Sequence, residues 1–191
     1  MKNIRKGLKE KSNMSDAAMD ELLSSAIRLE VPKKHILASS LKKDGNVYFI
    51  EKGIARTYCM VEGKEITYWF SPEGDITYVT NEFYGHKIRG YENEYIQLLE
   101  NAILYYIPIR RLEELYKTNI EIANWGRMLH QDAFIKNGDR LFSRLYLSAE
   151  ERYRIFLKEN PTLFQRVNLG YIASYLGFSQ VTLSLLRNKA R

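Results

Sequence analysis

The chain has 191 residues, of which 29 are lysine or arginine and 23 are aspartate or glutamate, so its formal net charge is +6. This length is enough for one large or two small domains with real hydrophobic cores. Its single cysteine, Cys59, excludes a disulfide framework and a cysteine-based zinc or iron–sulfur site. No apolar run approaches the roughly 18 residues of a membrane span, and the basic N-terminus lacks the apolar stretch of a secretory signal. We therefore expect a cytoplasmic protein.

The first part of the chain has a helical pattern. Within residues 4–30, Ser15 is placed to cap a helix, and the apolar residues after it recur at the period of an amphipathic helix. Pro32 then marks the end of the pattern. We therefore expect helical structure throughout this segment.

A change of character at Val31 predicts an all-β module. Short runs rich in tyrosine, isoleucine, valine and phenylalanine alternate with turns about every ten residues, as in a β-sandwich or jelly roll. Pro108 closes the region. The predicted strands are 47–50, 54–60, 65–70, 94–99 and 102–107. The predicted turns include 51–53, 61–64 and 71–75.

Helical structure is expected again after Pro108. A short helix is predicted over 110–116, and Thr118 or Asn119 could begin a longer one that runs to about Gly138. Its apolar residues follow two lines, Ile122, Trp125 and Leu129 on the first and Met128, Ile135 and Phe142 on the second. Two lines suggest a helix that contacts both its own β module and a second copy of the chain. Burial within one subunit explains the pattern equally well.

Two features follow towards the C-terminus. Ser148 and Glu151 have the spacing of a capping box at the start of a helix over 148–159, which Pro161 ends. Residues 164–167 are expected to form a short strand or a linker.

Residues 168–189 have the spacing of a helix-turn-helix. Gly177 falls where the first helix must end in a turn that favours positive φ, and Ala173 lies where the second helix passes too close for a larger side chain. Asn168 and Ser179 are placed to cap the two helices. The apolar contacts between them are assigned to Ile172, Leu176, Phe178, Leu183 and Leu186. A single amphipathic helix would not need this glycine and alanine. A helical hairpin that only packs in a core explains the apolar positions but not the polar face of the second helix, so a DNA-binding motif is favoured.

The outward face of the second helix has the composition of a base-reading surface. In helix-turn-helix proteins the N-terminal part of this helix enters the major groove. Gln180 is matched to adenine, and Val181 can contact a thymine methyl group. Arg187 and Lys189 are candidates for phosphate contacts. The predicted DNA-binding residues are Ser179, Gln180, Val181, Thr182, Ser184, Arg187, Asn188 and Lys189.

The excess positive charge is concentrated in the same part of the chain. From Asp139 onward there are nine basic and four acidic residues, whereas the first 138 residues hold twenty basic and nineteen acidic ones. This distribution is typical of a phosphate-binding end attached to a nearly neutral regulatory end. Chance clustering of solvated charges is the alternative explanation.

The order of these elements resembles the cyclic-AMP receptor protein (Crp/Fnr) family of transcription regulators. The residues that carry the resemblance are 47–53, 63–66, Gly74, Asp75, Ile107 and Pro108, together with the helix-turn-helix. The resemblance implies an α+β fold in three parts: N-terminal helices and a β-sandwich effector domain of the cyclic-nucleotide-binding type (1–117), a long dimerisation helix (118–138) and a helix-turn-helix domain (139–191). It also implies a homodimer on palindromic double-stranded DNA, with a small-molecule effector and RNA polymerase as candidate partners.

The chain departs from the cyclic-nucleotide-binding members of that family at their phosphate cassette. Those members have Gly-Glu-Leu and, about ten residues later, Arg-Ser/Thr-Ala, whose charged groups hold the ribose and the cyclic phosphate. Here His86 follows Gly85 in place of glutamate, and Arg89 is followed by glycine and tyrosine. We therefore expect an effector other than cyclic AMP. His86, Lys87 and Arg89 are candidates for binding another anion, or are simply exposed loop charges.

The recognition helix also departs from the family pattern. Well-known members have Arg, Glu and Arg at three base-reading positions, which are occupied here by Gln180, Val181 and Leu185. The target sequence should therefore differ, and Leu185 could be packed instead of facing bases. A signalling or adaptor protein with a degenerate helix-turn-helix is the resulting alternative. This alternative is also supported by the end of the chain at Arg191, because many family members have a trailing β-hairpin wing there.

An enzyme is the other competing class. Jelly-roll modules also house metal-dependent catalysts, but those sites need clustered histidines and carboxylates. His35, His86 and His130 are far apart in the sequence, and there is no glycine-rich phosphate loop or nucleophile elbow. We expect no catalytic residues, no metal and no cofactor.

Overall fold

The computed structural model describes residues 1–42, 44–85 and 93–189, which form nine helices and eight strands. The strands are β1 (Ile27–Val31), β2 (Ile36–Ser39), β3 (Asn46–Lys52), β4 (Ala55–Val61), β5 (Lys64–Ser71), β6 (Ile76–Tyr78), β7 (Glu94–Leu98) and β8 (Ala102–Pro108). The helices are α1 (Lys2–Ser12), α2 (Asp16–Leu23), α3 (Thr80–Phe83), α4 (Ile109–Thr118), α5 (Ile120–Tyr146), α6 (Ala149–Glu159), α7 (Pro161–Arg166), α8 (Leu169–Leu176) and α9 (Gln180–Lys189). In these ranges no single helix is long and apolar enough to cross a membrane; only the bent pair of α8 and α9 passes by length and composition.

The eight strands form a jelly roll of two antiparallel sheets. One sheet has the order β1-β8-β3-β6 and the other β2-β7-β4-β5. Because alternate residues of a strand face the same side, side chains such as Ile50, Ile96 and Leu104 fill the space between the sheets and are fully buried. The predicted α+β fold with an N-terminal jelly roll is confirmed.

Helix α1 packs directly onto the turn between β5 and β6. A Cβ added to Gly7 would lie 2.1 Å from the carbonyl oxygen of Gly74, so this approach requires glycine. The Glu51 carboxylate accepts hydrogen bonds from the amides of Lys2 (2.8 Å) and Ile4 (3.2 Å) at the start of the helix. A carboxylate there satisfies unpaired amides and complements the helix dipole. The first helix is therefore anchored to the sandwich at two points.

The prediction of helical structure throughout 4–30 is wrong in two places. Asn13 ends α1 with a left-handed backbone conformation (φ 51°), and Ile27–Val31 form strand β1. This strand pairs in register with β8, and the long-range pairing outweighs the local helical pattern. The cap at Ser15 is confirmed, since its hydroxyl accepts a hydrogen bond from the amide of Ala18.

Helix α5 continues past its predicted end at Gly138 and ends at Tyr146. A single glycine inside a helical pattern is tolerated when its neighbours favour helix, so the helix is not interrupted. The first of its two apolar lines is buried among α1, α2 and α4. Within that core Trp125 stacks on Phe49 of β3, with a ring-centroid distance of 6.1 Å. The first half of α5 thus packs against the sandwich and its N-terminal helices.

The last four helices share a second core. Tyr153, Ile172 and Leu183, from α6, α8 and α9, are buried in it. Pro161–Arg166 form helix α7, not the strand or linker that we predicted over 164–167. A proline at the first helical position is compatible with a helix because the missing N–H is not needed there.

The capping box at the start of α6 is confirmed, and its contribution to stability can be measured. The Ser148 hydroxyl accepts from the amide of Glu151, whose carboxylate accepts from the amide of Ser148 at 2.8 Å. We expect Ser148→Ala to lower the free energy of unfolding by about 1 kcal/mol, because helix amides lose their acceptor. Ser148→Thr keeps the hydroxyl, which accepts from the amide of Glu151 and donates to its carboxylate, and should stay near the parent protein in the same chemical denaturation. Equal losses in both variants would contradict this role.

Candidate nucleic-acid interface and effector pocket

The C-terminal part of the chain folds as the predicted helix-turn-helix. The axes of α8 and α9 are bent by 100° at the break between them. Gly177 ends α8 in the left-handed conformation (φ 75°), and the amide of Phe178 donates to the carbonyl of Ala173 at 2.8 Å. These are the features of a Schellman-type helix end. The predicted caps at Asn168 and Ser179 are both formed.

The predicted base-reading face of α9 is open to solvent. Its exposed residues are Ser179, Gln180, Val181, Ser184, Asn188 and Lys189, and Thr182 and Arg187 are half-buried. Val181 and Leu185 are 70% and 60% exposed. Leu185 is therefore not packed, contrary to one of our expectations, because Leu183 on the other side of the helix fills the core.

Many of the basic side chains in this region contact other groups of the chain itself. Those that do so through their guanidinium groups include Arg140, Arg144, Arg152, Arg154 and Arg166. Arg166 lies 2.5 Å from Glu100 and 2.7 Å from Glu73, and hydrogen bonds to these two carboxylates raise its pKa. On α9 itself the cations are Arg187 and Lys189. Of the engaged arginines, Arg154 and Arg166 are paired with carboxylates, so the unpaired positive charge of this region is smaller than the sequence count suggests.

A pocket of about 150 Å³ lies between the β-sandwich and helix α5. Its lining residues are Lys11, Thr57, Tyr68, Trp69, Asp75, Ile76, Thr77, Tyr78, Thr80, Tyr84, Glu94 and, from α5, Leu129, Asp132, Ala133 and Asn137. Most of the polar groups are hydroxyls and carboxylates. Lys11, the one cation among these residues, is already paired with Asp75 at 2.7 Å. The described lining thus offers mainly hydrogen-bond acceptors and hydroxyls.

A buried carboxylate, Glu94, lies in the wall of this pocket. It accepts hydrogen bonds from the Tyr68 hydroxyl and from the amide and hydroxyl of Thr80, the last two at 2.7 Å. Burial raises the pKa of Glu94, and burial next to this carboxylate raises the pKa of Tyr68. The network joins β5, β7 and the start of α3 around the pocket.

Sequence reasoning did not identify this pocket, because its walls come from elements that are distant along the chain. One local signal was available. Glu94 shares the inward register of β7 with Ile96 and Leu98, and a carboxylate is rarely found at a fully buried position. A charged residue at an inward-facing position of a strand therefore indicates a buried polar site, where hydrogen-bond partners must surround the charge.

The predicted anion-binding candidates His86, Lys87 and Arg89 lie outside the described residues. Tyr84 and Glu94, on either side of them in the chain, both line the pocket. Within the ranges that the structure describes, no three or more histidine, cysteine, aspartate or glutamate side chains are grouped to hold a metal ion.

His130 on α5 is half-buried beside the aromatic residues of α3. Its Nδ1 lies 3.1 Å from the Tyr84 hydroxyl, and its ring centroid is 5.3 Å from that of Phe83. Burial lowers the pKa of His130 below its ordinary value. Below a pH of about 6.5 the unfolded chain therefore binds more protons at this site than the folded chain, and the free energy of unfolding should decrease as the pH falls.

Proton NMR titration of the His130 ring measures this shift directly. We expect its midpoint to lie below the ordinary histidine value, and the loss of stability towards acid to be smaller in His130→Asn. A midpoint above the ordinary value would contradict the burial argument.

The second half of α5 carries an exposed apolar face, which we call the α5 stripe. It consists of Phe134, Ile135, Leu141, Phe142, Leu145 and Tyr146, with exposed fractions from 51% to 81%. Their spacing places them on one side of the helix. Ile135 and Phe142 belong to the second apolar line of the sequence, whereas Met128 is half-buried. A contiguous apolar surface of this kind marks an interaction site.

Comparison with known proteins identifies the fold. No family model and no curated protein matches the chain. FixK2 from Bradyrhizobium japonicum is 16% identical, and the match covers 86% of this chain and 83% of that one with a TM-score of 0.71. The c-di-GMP responsive global regulator CLP from Xanthomonas campestris is 14% identical over 92% and 91% of the two chains, with a TM-score of 0.68. A protein from Eubacterium rectale assigned to the Crp/Fnr family of transcriptional regulators is 17% identical over 93% and 83%, with a TM-score of 0.67.

These matches confirm, at the level of the fold, the resemblance found in the sequence. The chain has the fold of the Crp/Fnr regulators: a cyclic-nucleotide-binding-like β domain, a long helix and a C-terminal helix-turn-helix.

Proposed function

We propose that this chain is a sequence-specific DNA-binding transcription regulator of the Crp/Fnr type. Two copies join through α5 and place their α9 helices in successive major grooves of palindromic DNA, about one helical turn apart. The β-sandwich binds a small-molecule effector other than cyclic AMP. RNA polymerase is a further partner by resemblance to the family.

The observation that carries this proposal is the exposed face of α9. Gln180 lies in the first turn of the helix, where side chains of a helix-turn-helix reach base edges, and its amide matches adenine. Ser184 and the half-buried Thr182 add short hydroxyl groups. No carboxylate occurs in α9, so no acidic side chain of this helix opposes the approach of phosphates.

The α5 stripe supports the dimer. In a two-fold pair the same surface of each copy meets its counterpart, so the stripe would be covered by the stripe of the second chain. This arrangement removes large apolar side chains from water and would bring two helix-turn-helix units to one side of the assembly. A monomer would leave all of them exposed.

The pocket between the sandwich and α5 supports a small-molecule effector. Among the described lining residues, the carboxylates of Asp75, Glu94 and Asp132 outnumber the one lysine, which disfavours a cyclic phosphate. An uncharged or cationic molecule with hydrogen-bond donors fits this lining better. Mass spectrometry of ligands retained by the purified protein would identify the molecule.

Selection from a randomised duplex pool tests the proposed function. We expect the full chain to enrich an inverted repeat, and its affinity to weaken as salt increases because phosphate contacts release counterions. The selection should be run at two salt concentrations, with and without cell extract as a source of effector. No enrichment over random competitor under either condition would contradict the proposal.

A signalling or adaptor protein with a degenerate helix-turn-helix is the second candidate. The aliphatic side chains of Val181 and Leu185 are exposed on α9, and several of the nearby arginines are engaged within the chain. Both features would also suit a protein partner. The same selection separates the two functions, since an adaptor would bind all duplexes alike or none.

A further inference from the structure

The pocket between the β-sandwich and α5 has an aromatic side as well as a polar one. Its aromatic and large aliphatic lining residues in the described chain are Tyr68, Trp69, Ile76, Tyr78, Tyr84 and Leu129. Aromatic rings bury apolar groups well, and their negative faces also attract cations. The pocket therefore suits a small molecule with an apolar body.

Two hydroxyls on the polar side of the pocket are oriented by Glu94. The hydroxyls of Tyr68 and Thr80 both donate to Oε1 of this carboxylate, and the amide of Thr80 donates to Oε2 at 2.7 Å. Convergence of these donors is the pattern of an ionised carboxylate, which can only accept. Each hydroxyl has one proton, so the oxygens of Tyr68 and Thr80 can act only as acceptors towards an occupant of the pocket. This part of the wall therefore favours an occupant with donor groups.

Within the described chain, the charge of Glu94 has no cationic partner. The other two carboxylates of the described lining, Asp75 and Asp132, form ion pairs with lysines at 2.7 and 2.9 Å, whereas the hydrogen-bond partners of Glu94 are neutral. Burial of a charge costs free energy unless an opposite charge lies close to it. Because Glu94 is 0% exposed, it acts on an occupant through its electric field and through the two hydroxyls, not by direct contact. A positively charged occupant would supply the missing counter-charge.

We propose that the effector is a small organic cation, with a primary ammonium group beside Tyr68 and Thr80 and an apolar body packed against the aromatic side of the pocket. This inference rests on the proposed function, in which the pocket binds an effector. An ammonium group has three N–H donors for the acceptor oxygens, and its charge is attracted by Glu94 and by the ring faces. An alcohol of the same shape keeps the apolar contacts but lacks the charge attraction, and a carboxylate is repelled.

Three molecules of similar size and different charge test this proposal on the full-length protein without DNA. In isothermal titration calorimetry, we expect 2-phenylethylamine to bind about tenfold more tightly than either 2-phenylethanol or phenylacetate, because only the amine is positively charged. If the amine binds no more tightly than the alcohol, or than phenylacetate, the proposal is wrong. This comparison needs no substitution, so it does not depend on how a variant folds.

Glu94→Gln removes the charge of the carboxylate with little change of size. It should weaken the binding of 2-phenylethylamine about tenfold and leave that of 2-phenylethanol nearly unchanged. Asp139→Asn is the matched control, since Asp139 is an exposed carboxylate of α5 outside the described lining, and it should change neither affinity. Equal losses for the amine and the alcohol in Glu94→Gln would contradict selection by charge.

These affinities are measured without DNA, so they fail separately from the proposed function. A protein that selects no duplex contradicts the proposed function, and the three affinities still report on the chemistry of the pocket. A protein that selects an inverted repeat but does not prefer the amine keeps the proposed function and overturns the proposed class of effector.

Discussion

Phe142→Glu should convert the protein from a dimer to a monomer and weaken its binding to an inverted repeat by about a hundredfold or more. Phe142 is 58% exposed in the single chain and stacks beside Tyr146 in the α5 stripe. In a two-fold pair a glutamate here would lie near its own copy, so association would bury charges without partners. A single helix-turn-helix then loses the gain from binding two linked half-sites at once.

Light scattering at micromolar concentration and titration of the selected duplex measure the two effects. Lys136→Glu is the matched control, since it introduces a larger change of charge on α5 outside the stripe, where the lysine forms an exposed ion pair with Asp132. It should leave the dimer intact. A parent protein that is already monomeric, or a Phe142→Glu variant that remains dimeric, would contradict the role of the stripe.

Gln180→Ala should weaken binding to the selected site by about 1–3 kcal/mol and relax the preference at one base pair in each half-site. The side chain is exposed at the start of α9, so its removal changes recognition without opening the core. The loss has this size because a bidentate amide-to-adenine contact discriminates against every other base.

A repeat of the duplex selection with the Gln180→Ala variant shows whether the sequence preference is lost at one base pair only. Lys189→Ala provides the contrast, because an exposed phosphate contact carries no sequence information and its loss should weaken all duplexes and reduce the salt slope. Arg187→Ala should behave similarly. Uniform weakening by Gln180→Ala would mean that this residue does not read a base.

The helix-turn-helix could be predicted residue by residue because its determinants are local. Gly177 adopts the left-handed conformation that ends α8. Asn168 and Ser179 cap the starts of α8 and α9, and Ile172 and Leu183 from these two helices belong to the same buried core. All of these requirements fall within 22 consecutive residues. Spacing in the sequence therefore translates directly into contacts.

Strand β1 and the pocket could not be predicted in the same way. Ile27–Val31 become a strand only because β8, more than 70 residues later, offers a pairing edge. The pocket brings α1, β4, β5, β6, α3, β7 and α5 together, and no single segment supplies all of its walls. Such features depend on long-range packing that local periodicity does not encode.

The count of positive charges was also an incomplete guide. Arg144 and Arg152 donate to the last carbonyls of α8, and Arg166 joins the helical region to two carboxylates of the sandwich. A count of basic residues in the sequence cannot distinguish arginines that are engaged within the chain from cations that are free to contact phosphates. The salt dependence of binding should therefore correspond to few phosphate contacts per subunit.

The uninterrupted course of α5 has a mechanical implication. With 27 residues the helix is about 40 Å long, and it is rooted in the sandwich at one end while its far end adjoins the helix-turn-helix. As a stiff lever of that length, it would convert a tilt of about 5° at its root into a shift of about 3–4 Å at its tip. That distance is close to the rise of one base pair, about 3.4 Å, so under the proposed function a slight rearrangement at the sandwich end of α5 displaces the helix-turn-helix by about one base-pair step.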